Sequence, residues 1–297
     1  MAAPASVGVS ATVTGVAGAG GGGGGRGGLV IYKMTGSGND FVFVDGRSSP
    51  IDDWTEDRIR AVCARGTGVG ADGLVVLEPG SQPSAVRFHF FNNDGRRAEM
   101  CGNAALCAAR LSARLELASE DGICLETDSG LVRTRCIPAT SDRAELGLAD
   151  VTDLVLPEIE AEAGEQLVAF ATVGVPHLVV LVDDLEAIDM AHRGRALRRH
   201  PSLADAGANV NFVGQDQAGW AMRTYERGVE GETLACGTGA VACGAALARE
   251  RATPLPWEVV SRSGRSLVVS GTPVQTGLSN PRLEGEGRVV FRGVLDP

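Results

Sequence analysis

From Leu29 onward the chain alternates short apolar runs with Gly, Asp, Asn and Ser steps, a pattern that predicts strands of about four to eight residues. Strands are expected at 29–34, 41–45, 74–77, 86–91, 123–127, 131–137, 167–173, 178–182, 210–213, 221–225, 257–261, 267–270 and 288–294. Asp128-Ser129-Gly130, Ser263-Gly264-Arg265 and Asp94-Gly95 carry residues that tolerate positive φ, so neighbouring runs pair as hairpins and the sheets are expected to be largely antiparallel. Two segments break the pattern. Cys101-Gly102-Asn103-Ala104-Ala105-Leu106-Cys107-Ala108-Ala109 and Cys236-Gly237-Thr238-Gly239-Ala240-Val241-Ala242-Cys243-Gly244-Ala245 are apolar and small on every face, which predicts helices enclosed on all sides.

The two helical segments repeat each other 135 residues apart, close to half of the stretch from 29 to 297. The coincidence predicts two similar domains, each a mainly antiparallel sheet around its own central helix, an α/β (α+β) fold. Residues 1–28 stand apart from both. They are mostly Ala, Gly, Val, Ser and Thr with Arg26 as the one charged side chain, and such a segment buries too little apolar area to offset its backbone entropy, so a disordered tail is expected. No Lys or Arg precedes its weakly apolar middle, which argues against a signal peptide, and no apolar run approaches a membrane span.

Charge and cysteine usage narrow the chemistry. With 27 Lys plus Arg against 37 Asp plus Glu the net charge is −10, which disfavours nucleic acid or an anionic membrane as partner and favours a cytoplasmic enzyme acting on a small molecule. The seven cysteines are an odd number without a secretion signal, so free thiols are expected. No C-x-x-C pair exists, and His89, His177, His192 and His200 do not bracket cysteines at zinc-ligand spacing; no metal is expected.

Cys101 and Cys236 each begin a helix, where free amides and the macrodipole favour negative charge, so both are expected to be low-pKa thiols. Cys107 and Cys243 lie deeper in the same helices and read as buried packing residues, as do Cys63, Cys124 and Cys136. If the two helix ends face one cleft, the amides of Gly102, Asn103, Gly237 and Thr238 can hold a carboxylate with its α-carbon between two sulfurs. One thiolate then removes the α-proton while the other thiol delivers one to the opposite face, a two-base inversion without a cofactor. A disulfide-cycling redox protein is the alternative from another class, and a binding protein on the same scaffold a third. Gly68-Val69-Gly70-Ala71-Asp72-Gly73 satisfies G-x-G-x-x-G but follows a helix-like stretch at 55–65 and precedes a strand, the reverse of a dinucleotide site, so it is expected to be a loop.

Lys33-Met34-Thr35-Gly36-Ser37-Gly38-Asn39-Asp40-Phe41, Phe91-Asn92-Asn93-Asp94-Gly95 leading to Cys101-Gly102-Asn103, and Tyr225-Glu226-Arg227-Gly228 leading to Glu232-Thr233-Leu234-Ala235-Cys236-Gly237-Thr238-Gly239 resemble the diaminopimelate epimerase family, in order and over residues 29 to the C-terminus. The resemblance implies two pseudo-symmetric domains, 29–146 plus 286–297 and 147–285, with the last strand returning to the first domain and the active site in the cleft between them. It also implies a homodimer, and interconversion of LL- and meso-diaminopimelate for lysine and peptidoglycan synthesis. A related two-cysteine racemase of another amino acid is the alternative within this chemistry. Carried over by position, Cys101 and Cys236 are acid and base, and Gly102-Asn103 and Gly237-Thr238 hold the reacting carboxylate. Asn39, Asn92, Asn209, Glu226 and Arg227 line the pocket, with Arg227 on the distal carboxylate. His177 and Glu226 are expected to manage the thiol protons. Val175, where many members have Asn, and Gly73, where many have a polar residue, depart from the pattern and bear on substrate breadth.

Overall fold

In the computed structural model residues 28–203 and 205–296 are described; the expected tail, Gly28 apart, lies outside them. The first half runs β1 (Leu29–Gly36), β2 (Asn39–Asp45), α1 (Glu56–Cys63), β3 (Gly73–Pro79), β4 (Ala85–Asn92), β5 (Arg97–Ala98), α2 (Gly102–Arg114), β6 (Ile123–Thr127), β7 (Gly130–Cys136) and β8 (Arg143–Gly147). The second repeats the order with β9 (Glu165–Val173), β10 (Val175–Val182), α3 (Arg195–Arg198), β11 (Asn209–Asp216), β12 (Gly219–Glu226), β13 (Gly231–Thr233), α4 (Gly237–Glu250), β14 (Trp257–Val260), β15 (Ser266–Val274) and β16 (Gly277–Glu286). A last strand, β17 (Arg288–Leu295), pairs antiparallel with β1.

Pairing follows the repeat. β2 and β3, and β4 and β6, are parallel in the first half, and β10 and β11, and β12 and β14, are parallel at the matching places in the second. The other ladders are antiparallel, as the hairpin turns predict. The halves join through an antiparallel ladder of β8 on β16, with Ala144 opposite Gly285 and Leu146 opposite Leu283. Every predicted strand forms, while β5, β8, β13 and β16 were not anticipated.

The two central helices sit inside. Leu106 and Leu111 of α2 and Val241 and Leu247 of α4 belong to one apolar cluster that also contains Leu146 and Leu283 of the joining ladder. Removing one such leucine side chain would cost about 2–5 kcal/mol. Outside each sheet a smaller layer closes the other face. Trp54, Ile59 and Cys63 around α1 cover β1 to β3, and Met190 and Leu197 cover Val180, Phe212 and Tyr225. Thr55 starts α1 by accepting a hydrogen bond from the Arg58 amide, ahead of Glu56 and Asp57 in the first turn.

Two tight passages bring the loops onto the helix ends. Ser37 (φ 52°) and Gly38 (φ 118°) make the two-residue turn between β1 and β2, and the Ser37 hydroxyl accepts from the Glu286 amide at 3.3 Å. Gly36, the residue before that turn, passes so close to Asn103 that a Cβ there would collide with the Asn103 carbonyl. The turn therefore sets Asn39 against the first residues of α2.

Candidate active site

Cys101 and Cys236 precede α2 and α4 with nearly the same backbone, φ −136°, ψ 122° and φ −132°, ψ 105°. The helix ends lie close together: a Cβ on Gly237 would strike the Leu283 side chain and stand 3.6 Å from Asn103 Oδ1. Glu226, at the end of β12, reaches both. Its charge acts on the Cys236 thiol and, less strongly, on Cys101, and its Oε1 accepts from the Thr233 hydroxyl at 2.7 Å.

The thiols are not low-pKa groups. Burial pushes Cys101 up to about 11, against the pull of the Asn103 and Ala104 amides, and Glu226 adds to the rise. Burial and then Glu226 push Cys236 up to about 12, against Thr238 and the Gly239 amide. The helix ends act in the anticipated direction, but desolvation of a thiolate outweighs them. Burial likewise raises Glu226 above the usual carboxylate range, with Thr233 and Cys236 opposing. Both groups therefore hold their protons more firmly than they would in water.

His177 is fully buried on β10. Its Nδ1 accepts from Asn211 Nδ2 at 3.1 Å, which leaves the ring proton on Nε2, and Nε2 has no hydrogen-bond partner among the described residues. Burial, and then Arg227, hold its pKa down to about 3. The ring is neutral at physiological pH and carries its proton as an N–H on Nε2. Asn211 was not anticipated. It also donates to the Leu178 carbonyl at 2.9 Å and accepts from the Thr224 hydroxyl at 3.0 Å, and a Cβ on Gly239 would strike its Oδ1. A polar residue two positions after Asn209 on an otherwise buried strand was the signal available.

Other anticipated residues gather around this centre. Asn209 sits beside His177 in the parallel ladder, and its Oδ1 accepts from the Arg227 amide at 2.8 Å. Among the described residues no carboxylate lies within 4.0 Å of the Arg227 guanidinium, while its charge reaches His177. Asn39 accepts from Asn103 Nδ2 at 2.7 Å and donates to Asp72 at 3.0 Å. Asn92 ends β4 opposite Gly73, exposed, and no side-chain hydrogen bond ties it to the others. The Gly68–Gly73 segment is a loop leading into β3, as expected, and its Gly70 carbonyl accepts from the buried Lys33. Cys107 and Cys243 are enclosed in their helices, and burial raises both thiols.

A family model described as diaminopimelate epimerase matches residues 31–149 and 169–275. The chain belongs to the diaminopimelate epimerase family. It is 47% identical to a diaminopimelate epimerase of Gemmatimonas aurantiaca over 279 residues, covering 89% of this chain and 98% of that one. It is 36% identical to one of Hydrogenobaculum sp., covering 90% and 98%. Solved structures with the same fold include a phenazine biosynthesis protein of the PhzF family from Bacillus anthracis, TM-score 0.66 at 12% identity, covering 91% and 99%. A hydroxyproline epimerase from Agrobacterium vitis follows at TM-score 0.59 and 17% identity, covering 92% and 94%.

Proposed function

We propose that this chain is an isomerase that interconverts LL- and meso-2,6-diaminopimelate without a cofactor, with Cys101 and Cys236 as the acid and base. The observation that carries the reading is the pair of cysteines at matching helix starts with one carboxylate, Glu226, acting on both. Free amides of Gly102, Asn103, Gly237 and Thr238 hold the reacting carboxylate and stabilise the charge that develops on it. Glu226 takes the Cys236 proton; the Cys236 thiolate removes the α-proton; the Cys101 thiol delivers its proton to the other face, leaving Cys101 as the thiolate that serves the reverse direction. Asn39, Asn92 and Asn209 line the pocket, and Arg227, a cation without a carboxylate partner among the described residues, receives the distal carboxylate.

The same reading places one domain at 29–146 plus 286–297 and the other at 147–285, since β17 returns to β1. It takes the protein to be a cytoplasmic homodimer supplying precursors for lysine and peptidoglycan. Family membership and the absence, among the described residues, of any helix long and apolar enough to cross a membrane support this.

Incubation with LL-diaminopimelate in deuterated water, followed by chiral separation and mass measurement, tests the reading. Formation of the meso isomer carrying one deuterium at the inverted carbon is the expected result. Absence of both inversion and exchange under reducing conditions would overturn it.

A further inference from the structure

Asn103 ends in a buried carbonyl with no partner: Oδ1 is closed to solvent and hydrogen-bonded to nothing among the described residues, and it stands beside Gly237 at the start of α4. An orphaned buried acceptor is costly, so something must hold the amide this way round. The oxygen and nitrogen of an Asn side chain differ little in size, and the choice between them is made by hydrogen-bond partners. Asn103 Nδ2 donates to Asn39 Oδ1 at 2.7 Å, and Asn39 Nδ2 donates in turn to Asp72 Oδ2 at 3.0 Å. Two amides in series can point either way; the carboxylate at the end cannot. Asp72 offers only acceptors, one taken by Arg65 at 2.7 Å and the other shared by Asn39 and the Asp40 amide at 3.2 Å.

We infer that Asp72, held by Arg65, is a positioning residue that fixes the direction of the Asn39–Asn103 amide chain and so presents an acceptor, not a donor, at the mouth of α4. This rests on the function proposed above, and it adds what binds the other charge of the α-amino acid. With the carboxylate on the free amides of Gly237 and Thr238, the ammonium one carbon away finds Asn103 Oδ1 beside Gly237. A reversed chain would put an NH2 group there, donor against ammonium and against the α4 amides. The G-x-G-x-x-G segment that supplies Asp72 is thus tied to the site through hydrogen bonds rather than through a phosphate.

The carboxylate can be moved one step along the chain. In Asp72→Asn, Arg65 claims the new side chain's oxygen, its NH2 faces Asn39 and the Asp40 amide, which loses its acceptor, and both amides of the chain reverse. In Asn39→Asp, two carboxylates oppose each other at positions 39 and 72. In the double variant the carboxylate at position 39 accepts from the amide at position 72 and from Asn103, so Asn103 again shows its oxygen to α4. Steady-state rates and melting temperatures of the four proteins form the test. Asp72→Asn is expected to raise KM by about tenfold to a hundredfold with a smaller fall in kcat, the size expected for losing a hydrogen bond to a charged group. The double variant is expected to exceed both single variants in kcat/KM, by more than any difference in melting temperature tracks. Additive losses in the double variant, or an unchanged KM in Asp72→Asn, would overturn the inference. If Asp72→Asn does not fold, the comparison of Asn39→Asp with the double variant still decides. The cycle is a ratio between variants and is read on whichever α-amino acid the unaltered protein exchanges in deuterated water, so failure on diaminopimelate alone counts against the function and not against the amide chain.

Discussion

Replacing Glu226 by Gln probes the electrostatics that hold the two thiols. Burial is the larger cause of both raised pKa values, so the variant does not return either cysteine to its free value; the carboxylate is the second cause for Cys236 and a lesser one for Cys101. A unit charge at hydrogen-bonding range shifts a neighbour by about one to three units. The sign is fixed: removing a negative charge favours the thiolate, lowers the thiol pKa and raises the thiolate population at a given pH. At pH 8, far below about 12, that population rises about 10- to 1000-fold for Cys236. Gln keeps the shape and still accepts from Thr233, so access to the thiols is unchanged and cancels in the ratio.

The assay is the rate of iodoacetamide alkylation from pH 7 to 10, resolved by mass spectrometry of the separate peptides carrying Cys101 and Cys236. Cys236 is expected to react about 10- to 1000-fold faster in the variant at pH 8, and Cys101 faster by a smaller factor. Epimerisation falls at least about a hundredfold, because the group that accepts the Cys236 proton is gone. Faster labelling with slower turnover is a combination that simple loss of structure does not produce when the melting temperature is held. Unchanged or slower alkylation of Cys236, or full turnover, would refute the account of the thiol pair.

Cys101→Ala and Cys236→Ala are each expected to lower epimerisation by at least about a thousandfold without unfolding the protein, since neither base alone inverts the carbon; full turnover by either ends the two-base scheme. Arg227→Ala is expected to raise KM for diaminopimelate strongly and to affect a monocarboxylic amino acid little, and equal losses on both would make the arginine structural. His177, with its pKa held near 3, contributes stability that is present above its ordinary 6.5 and lost as pH falls between the two, on the order of 5 kcal/mol. The drop in melting temperature from pH 7 to 4 is therefore expected to be smaller in His177→Gln, and an equal drop would place the acid sensitivity elsewhere. Val175→Asn adds a polar side chain at the edge of β10, and a rise in the kcat/KM ratio of diaminopimelate to lysine is expected; a fall would remove Val175 from the question of substrate breadth.

What the sequence conceals follows from what each strand faces. Most of the thirteen anticipated strands are apolar runs with at least one face buried, where burial leaves a continuous or alternating pattern. β8 and β16 join the halves and escaped notice because β8 carries Arg143 and Glu145 between its buried positions and β16 contains Asn280 and Pro281, which read as a turn. Cys101 and Cys236 were legible because helix-start chemistry is local, and the surrounding polar residues through the family motifs. Their pKa values were not, since burial comes from strands distant in sequence and overrides the local dipole. Asp72 and Asn211 touch their partners across 33 and 34 residues, distances over which periodicity carries no information.

The register of the two halves shows where a duplicated backbone loses its side-chain symmetry. Phe41 pairs with Gly73 where His177 pairs with Asn209, and Phe43 pairs with Val75 where Val179 pairs with Asn211. Counting back two residues along the strands, Asn39 corresponds to Val175. The polar side chains are thus not repeated: the first half has Asn39 where the second has Val175, and the second has His177, Asn209 and Asn211 where the first has Phe41, Gly73 and Val75. Inverting a carbon requires a donor and an acceptor on opposite faces, which two matching helix starts supply by symmetry. A substrate with a carboxylate at each end, only one of which reacts at a time, requires the reverse, a site whose two ends are unlike. Glu226, His177 and Arg227 all come from the second half, and Glu226 is the largest cause after burial of the rise at Cys236 but a lesser one at Cys101. The backbone symmetry serves the proton transfer, and the broken side-chain symmetry orients the molecule on which it acts.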